Sequence, residues 1–155
     1  MAMDPLQQLI EIEAIRNLKA RYFRFLDTKD WEGFKSVWEP EIEHEMVAEQ
    51  QKIHGSSEDF VNFVSAALEG VVTVHHGHSP EIEILSPTQA KAIWPFVDRL
   101  KPGPDAYEGA PEMIGYGHYH ETYVKSEAGW RIKTQLITRL RLDRPSQPTA
   151  ITSLE

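Results

Sequence analysis

Cysteine is missing from the 155-residue chain. That excludes disulfide staples, thiolate nucleophiles and cysteine-ligated metal, so any metal would have to rest on His, Asp or Glu. Positive charge is also scarce: 16 Lys and Arg stand against 24 Asp and Glu, a formal net charge of −8. Binding to phosphate backbones depends on clustered Lys and Arg, so nucleic acid is not an expected partner. Long apolar runs are absent too. The opening MAMDPLQQLIEIEAIRNLKARYF carries a charge every few positions, so neither a secretory signal nor a membrane span is expected, and a cytoplasmic location is the default. There is no repeat and no low-complexity segment. The composition is that of an ordinary globular protein, 41% hydrophobic and 26% charged, at a length that suits one domain. That domain is expected over 1–144, with a loose Ser/Thr/Pro-rich tail over 145–155.

Apolar residues at three- and four-residue spacings (Leu6, Leu9, Ile10, Leu18, Tyr22, Phe25, Leu26) predict an amphipathic helix, with Pro5 in its first turn. Asp30 is placed to cap a short second helix carrying Phe34, Val37 and Trp38, stopped by Pro40. Ser56 or Ser57 caps a third helix with Phe60, Phe63, Val64, Ala67 and Leu68 inward and Gly70 at its end. The second half alternates as strands over Ile82–Leu85, Gln89–Leu100, Ile114–Lys125 and Trp130–Leu142, with SPT and SEAG as turns and KPGPDAYEGAP as a longer loop. A further strand over Ile42–Val47 pairs with Lys52–His54. This order predicts an α+β fold: a curved antiparallel sheet forming a cone closed by three N-terminal helices. The inside of such a cone is a natural small-molecule pocket.

Several polar residues fall where that inside would be. Asp27 ends the first helix, where the helix dipole disfavours an acid. It either caps the turn through Lys29 or a backbone amide, or orients a histidine by accepting its Nδ1 proton. In TVHHGHSPEIEI, period-two alternation puts Thr73, His75 and Gly77 on one face and Val74, His76 and His78 on the other. The three histidines therefore split between inside and outside. In GYGHYHETYV, His118 and His120 share a strand face and offer a metal-binding alternative together with His75 or His78; Tyr119, Glu121 and Tyr123 share the opposite face. Asp98 follows Trp94 and Phe96 in AIWPFVDRL, at a solvent-exposed strand end or a pocket mouth. The arginines of TRLRLDR either hold an anionic group at the rim or protect a sheet edge.

Taken together, RYFRFLDTKDW, TVHHGHSPEIEI, AKAIWPFVDRL and GHYHETYVKSEAGWRIKTQLITRLRL resemble the SnoaL-like branch of the nuclear-transport-factor-like superfamily, over about Leu6 to Asp143. The resemblance implies the α+β cone and a dimer or trimer built through exposed sheet faces. Within it the chain is similar to scytalone dehydratase, whose catalytic Asp–His pair falls on Asp27 and His75. The two tyrosines that hold the carbonyl in that enzyme fall on Leu26 and Met46, so scytalone is not the expected substrate. It is also similar to bile-acid 7α-dehydratase, whose catalytic tyrosine, aspartate, histidine and second aspartate fall on Tyr22, Asp27, His75 and Asp98. That enzyme's pocket arginine falls on Thr138 or Arg139. The resemblance thus implies a cofactor-independent dehydratase or isomerase for a hydrophobic carbonyl compound, steroid-like or polyketide-like. His75 is then the general base, Asp27 its orienting partner, Tyr22 an oxyanion donor and Asp98 an aid to leaving-group departure. Met46, Trp94, Phe96, Tyr119, Thr138 and Arg139 would line the pocket, with no metal. A non-catalytic binding or assembly module of the same fold is the alternative.

Overall fold

A computed structural model describes residues 3–104 and 111–145, so the tail over 146–155 and the tip of the Pro/Gly loop lie outside the described residues. The chain opens with α1 (Pro5–Thr28), capped by the Asp4 carboxylate, and α2 (Trp31–Ser36), capped by Asp30. Then come β1 (Trp38–Met46), β2 (Gln51–Ser56) and α3 (Ser57–Ala67), the last capped by the Ser56 hydroxyl. The rest is β3 (Val71–Gly77), β4 (Glu81–Ser86), β5 (Gln89–Pro102), β6 (Met113–Ser126) and β7 (Gly129–Asp143). These seven strands form one curved sheet in the order β2-β1-β7-β6-β5-β3, with β4 also pairing β5. Helices packed on its concave side give the expected α+β architecture.

Three local expectations are corrected. Val37 and Trp38 are not in the second helix, which stops at Ser36 before Pro40 is reached; Trp38 and Pro40 lie in β1, Pro40 where the β1–β7 register is irregular and a missing N–H costs no ladder bond. The sheet is not wholly antiparallel, because β1 runs parallel to β7, His44 opposite Gln135 and Met46 opposite Ile137. Finally, Leu6, Leu9 and Ile10 are 65%, 63% and 52% exposed. At that end of α1 it is Glu11 that turns inward, accepting from Trp130 Nε1 at 2.6 Å and pairing with Lys125 at 2.7 Å. With Gln7 Nε2 donating as well, three donors satisfy this buried carboxylate and outweigh the gain from turning the leucines in.

One edge of β5 serves two partners. Glu81 to Ser86 pair with its first residues and Val71 to Gly77 with Phe96 to Pro102. Pro95 stands at the change of partner, where its carbonyl accepts from His78 N at 2.8 Å and no strand needs the N–H it lacks. The core between helices and sheet is apolar and aromatic, with Ile15, Leu18, Phe34, Trp38, Phe60 and Ile132 buried. Burial alternates along β6, so Gly115, Gly117, Tyr119, Glu121 and Tyr123 face inward.

Candidate active site

The last turn of α1 delivers Asp27 to β3. Its Oδ1 is 2.6 Å from His75 Nδ1 and accepts the Thr73 hydroxyl at 2.9 Å; its Oδ2 accepts the His75 backbone N–H at 2.8 Å. The helix-end acid is thus held by one strand's ring, hydroxyl and amide. Burial raises the Asp27 carboxyl, but the hydrogen bonds from His75 and Thr73 outweigh it, and the group lies below its ordinary value. Because Nδ1 faces a carboxylate, the ring is set with its proton on Nδ1 and Nε2 left for a substrate.

His75 lines a cavity of about 510 Å³, within the roughly 300–1,000 Å³ of small-molecule sites. Tyr22, His44, Met46, Tyr119 and Arg139 share its wall, with Leu100, Met113 and Leu142 as apolar lining. Asp98, opposite His75 in the β3–β5 register, is also in the wall. Both of its oxygens lie 2.8 Å from Arg139 Nη1, and Arg139 Nε donates to Glu49 at 3.2 Å. Burial lowers the Arg139 guanidinium, yet Asp98 and Glu49 together push it up. The ion pair passes directly over Gly115: a Cβ there would lie 2.1 Å from both Arg139 Nη1 and Asp98 Oδ1.

Behind Tyr22 and Tyr119, outside the cavity lining, lies a buried polar network. Lys19 Nζ is 2.6 Å from Glu121 Oε1, with both side chains fully buried, and sits 3.8 Å from the centroids of the Tyr22 and Tyr119 rings. Gln135 and Tyr123 also donate to Glu121, and Trp94 Nε1 donates to Tyr123 at 2.8 Å. Burial draws Lys19 down to about 8 against the pull of Glu121. Burial also pushes the Tyr22 and Tyr119 hydroxyls up, keeping both as neutral donors. Tyr22 Oη reaches Gln135 Oε1 at 3.4 Å.

Of the residues singled out in the sequence, the structure brings Asp27, His75, Tyr22, Asp98, Met46, Tyr119 and Arg139 together. Trp94 and Phe96 share the inward face with Asp98 but sit deeper and do not line the cavity: Trp94 is tied to Tyr123, and Phe96 packs on Tyr119 at 4.3 Å beneath the Arg139 guanidinium. Thr138 faces the other side of β7, 3.2 Å from His120 Nε2. His118 and His120 lie on the outer sheet face, their rings 6.2 Å apart, while His76 and His78 are exposed. The four therefore do not converge with His75, and the described residues contain no group of three metal-competent side chains. His44, unmarked in the sequence, is buried on the β1 wall against Phe60 at 4.5 Å; burial pulls it down to about 4, so it is a neutral imidazole. Its signal was an inward position two residues before Met46.

This chain belongs to the SnoaL-like domain family, whose model matches residues 7–135. A relative from Gibberella zeae, named "Probable cyclase FGR4", is 29% identical over 135 residues, covering 81% of this chain and 89% of that protein. Among solved structures, a candidate scytalone dehydratase from Novosphingobium aromaticivorans superposes with a TM-score of 0.78 at 20% identity, covering 96% of this chain and 97% of that one. A hexachlorocyclohexane dehydrochlorinase, LinA-type3 from Novosphingobium barchaimii, gives 0.74 at 17% identity, covering 91% and 94%. At these identities the structural matches show a shared fold. No helix among the described residues is long and apolar enough to cross a membrane.

Proposed function

We propose that this protein is a cofactor-independent lyase or isomerase acting on a hydrophobic carbonyl compound, steroid-like or polyketide-like, with His75 as general base. The observation that carries the reading is the 2.6 Å Asp27–His75 contact behind a ring that opens on a largely apolar cavity. The names of the relatives point the same way, because dehydration and dehydrochlorination each remove a proton and a leaving group from neighbouring carbons.

In this mechanism His75 Nε2 takes a proton made acidic by conjugation to the substrate carbonyl, and the bond's electrons pass into the enolate oxygen. Asp27, already accepting from Nδ1, stabilises the imidazolium. Tyr119, and Tyr22 once its hydroxyl turns from the long bond to Gln135 Oε1, donate to the oxyanion. Collapse of the enolate expels the neighbouring hydroxyl, which takes the imidazolium proton and leaves as water, returning His75 to its neutral form. In an isomerase the same proton returns to a different carbon. Asp98 accepts from a guanidinium through both oxygens, so its part is to hold Arg139 against the cavity rather than to donate a proton.

The test is His75→Ala against a panel of enones and β-hydroxyketones. Turnover should fall by about 10²–10⁴-fold, with ligand affinity changed only a few-fold. Wild-type turnover in His75→Ala would sink the assignment.

A further inference from the structure

Asp27 itself lines a second space. An open groove of about 820 Å³, bordered by Asp27, Lys29, Trp31, Leu68, Gly70 and Val71 among others, adjoins the cavity at Leu68. Into this groove α1 ends on Lys29, which adopts the left-handed conformation at φ 60°. Glycine takes this position without strain, and a residue with a Cβ does so at a cost. The side chain that incurs the cost is half-buried and not free: Nζ donates to Thr73 Oγ1 at 2.8 Å and to the Leu26 carbonyl at 3.4 Å.

The first of these bonds has a directional consequence. An ammonium can only donate, so Thr73 Oγ1 receives from Lys29 through a lone pair. The hydroxyl's one proton is then available to Asp27 Oδ1, 2.9 Å away, the oxygen that also accepts from His75 Nδ1. We propose that Lys29 is a positioning residue of the dyad, acting through Thr73: it turns the hydroxyl onto Asp27 and so fixes the carboxylate that holds the His75 tautomer. The proposal rests on the dyad reading above and adds a residue that never touches substrate. It also explains why the helix ends on a strained lysine.

The titratable or charged groups that contact Asp27 or line the groove with it are His75, Lys29 and Glu69, and Asp98, opposite His75 in the β3–β5 register, is paired with Arg139. The test reads the Asp27 carboxyl directly, by carbon-13 NMR titration of the full chain, without substrate. Lys29→Gly relieves the left-handed strain but frees the unfolded chain and loses two hydrogen bonds, so the melting temperature should stay within about 4 °C of wild type, while the Asp27 titration midpoint should move up by about half a unit to one unit. Thr73→Val should move it in the same direction. In the Thr73→Val background, Lys29→Gly should add clearly less than it does alone, leaving only its direct charge on Asp27, because the two otherwise act in series. Lys29→Arg, which keeps a donor, should restore the wild-type midpoint.

An unchanged midpoint in Lys29→Gly would reduce Lys29 to a helix cap and overturn the proposal. Fully additive shifts would overturn it as well, by showing a through-space field in place of a hydroxyl relay. The outcome is independent of the function reading, since His75→Ala judges that by turnover and Asp27 is judged here by titration.

Discussion

Gly115→Ala is a one-carbon change with a calculable consequence. The added Cβ would sit 2.1 Å from both Arg139 Nη1 and Asp98 Oδ1, whose side chains are only 7% and 6% exposed. Both atoms end flexible side chains, but with each nearly buried the pair must stretch or break, and breaking a buried ion pair costs about 3–5 kcal/mol. Replacing glycine in a strand interior returns roughly 0.5–1 kcal/mol of backbone entropy. The net destabilisation is therefore about 2–4 kcal/mol, or a melting temperature lower by roughly 5–15 °C for a chain of this size. Urea unfolding measures it, with the transition slope checked for constancy. In an Asp98→Ala background Arg139 has room to swing away, so the cost of Gly115→Ala should shrink by at least about 1 kcal/mol. If Gly115→Ala is as stable as wild type, the ion pair does not cross that backbone and the placement of Arg139 in the cavity wall is wrong.

The buried polar groups give two further outcomes. His44 is held down to about 4 against an ordinary value of 6.5, so the fold favours its neutral form; the unfolded chain binds the extra proton between those values. Its burial leaves stability intact above pH 6.5 and erodes it as pH falls toward 4, by about 3 kcal/mol at most. His44→Phe should flatten that limb in a pH series of urea midpoints, and an unchanged slope would refute the buried neutral assignment. Lys19→Met takes the ammonium from buried Glu121, leaving it only the neutral donors Gln135 and Tyr123, at a cost of about 3–5 kcal/mol. Lys19→Met combined with Glu121→Leu should recover most of it, and equal losses in the single and the double variant would count against the pairing.

Faces proved easier to read than depths. Period-two alternation placed His75 inward and His76 outward, and the caps at Asp30 and Ser56 are where short polar residues precede apolar periodicity. Alternation also put Trp94, Phe96 and Asp98 on one face, but the distance of each from the cavity mouth depends on what α1 fills, which no local pattern encodes. The outward turn of Leu6, Leu9 and Ile10 depends on Trp130 and Lys125, more than a hundred residues away, both satisfying Glu11. The parallel β1–β7 pairing was equally hidden, since Pro40 read locally as a helix stop. In the candidate site, Asp27 and His75 stood out singly, as an acid at a helix C-terminus and a histidine on an inward strand face, but their pairing was legible only through the family resemblance. Lys19, Glu121 and His44 broke a norm as well, as polar residues at inward positions, but their partners come from distant strands.

The parallel ladder between β1 and β7 also orders events during synthesis. Glu43 pairs with Thr134, 91 positions later, so the strand carrying His44 and Met46 has only its hairpin partner β2 until the final strand is made. A lone two-stranded hairpin is marginal in water. Asp27 and His75 leave the ribosome together well before that, whereas the wall facing them and Arg139 arrive last. The concavity is therefore the final thing this chain acquires, and a nascent or truncated form lacking β7 would hold both members of the dyad while having nowhere to put a substrate.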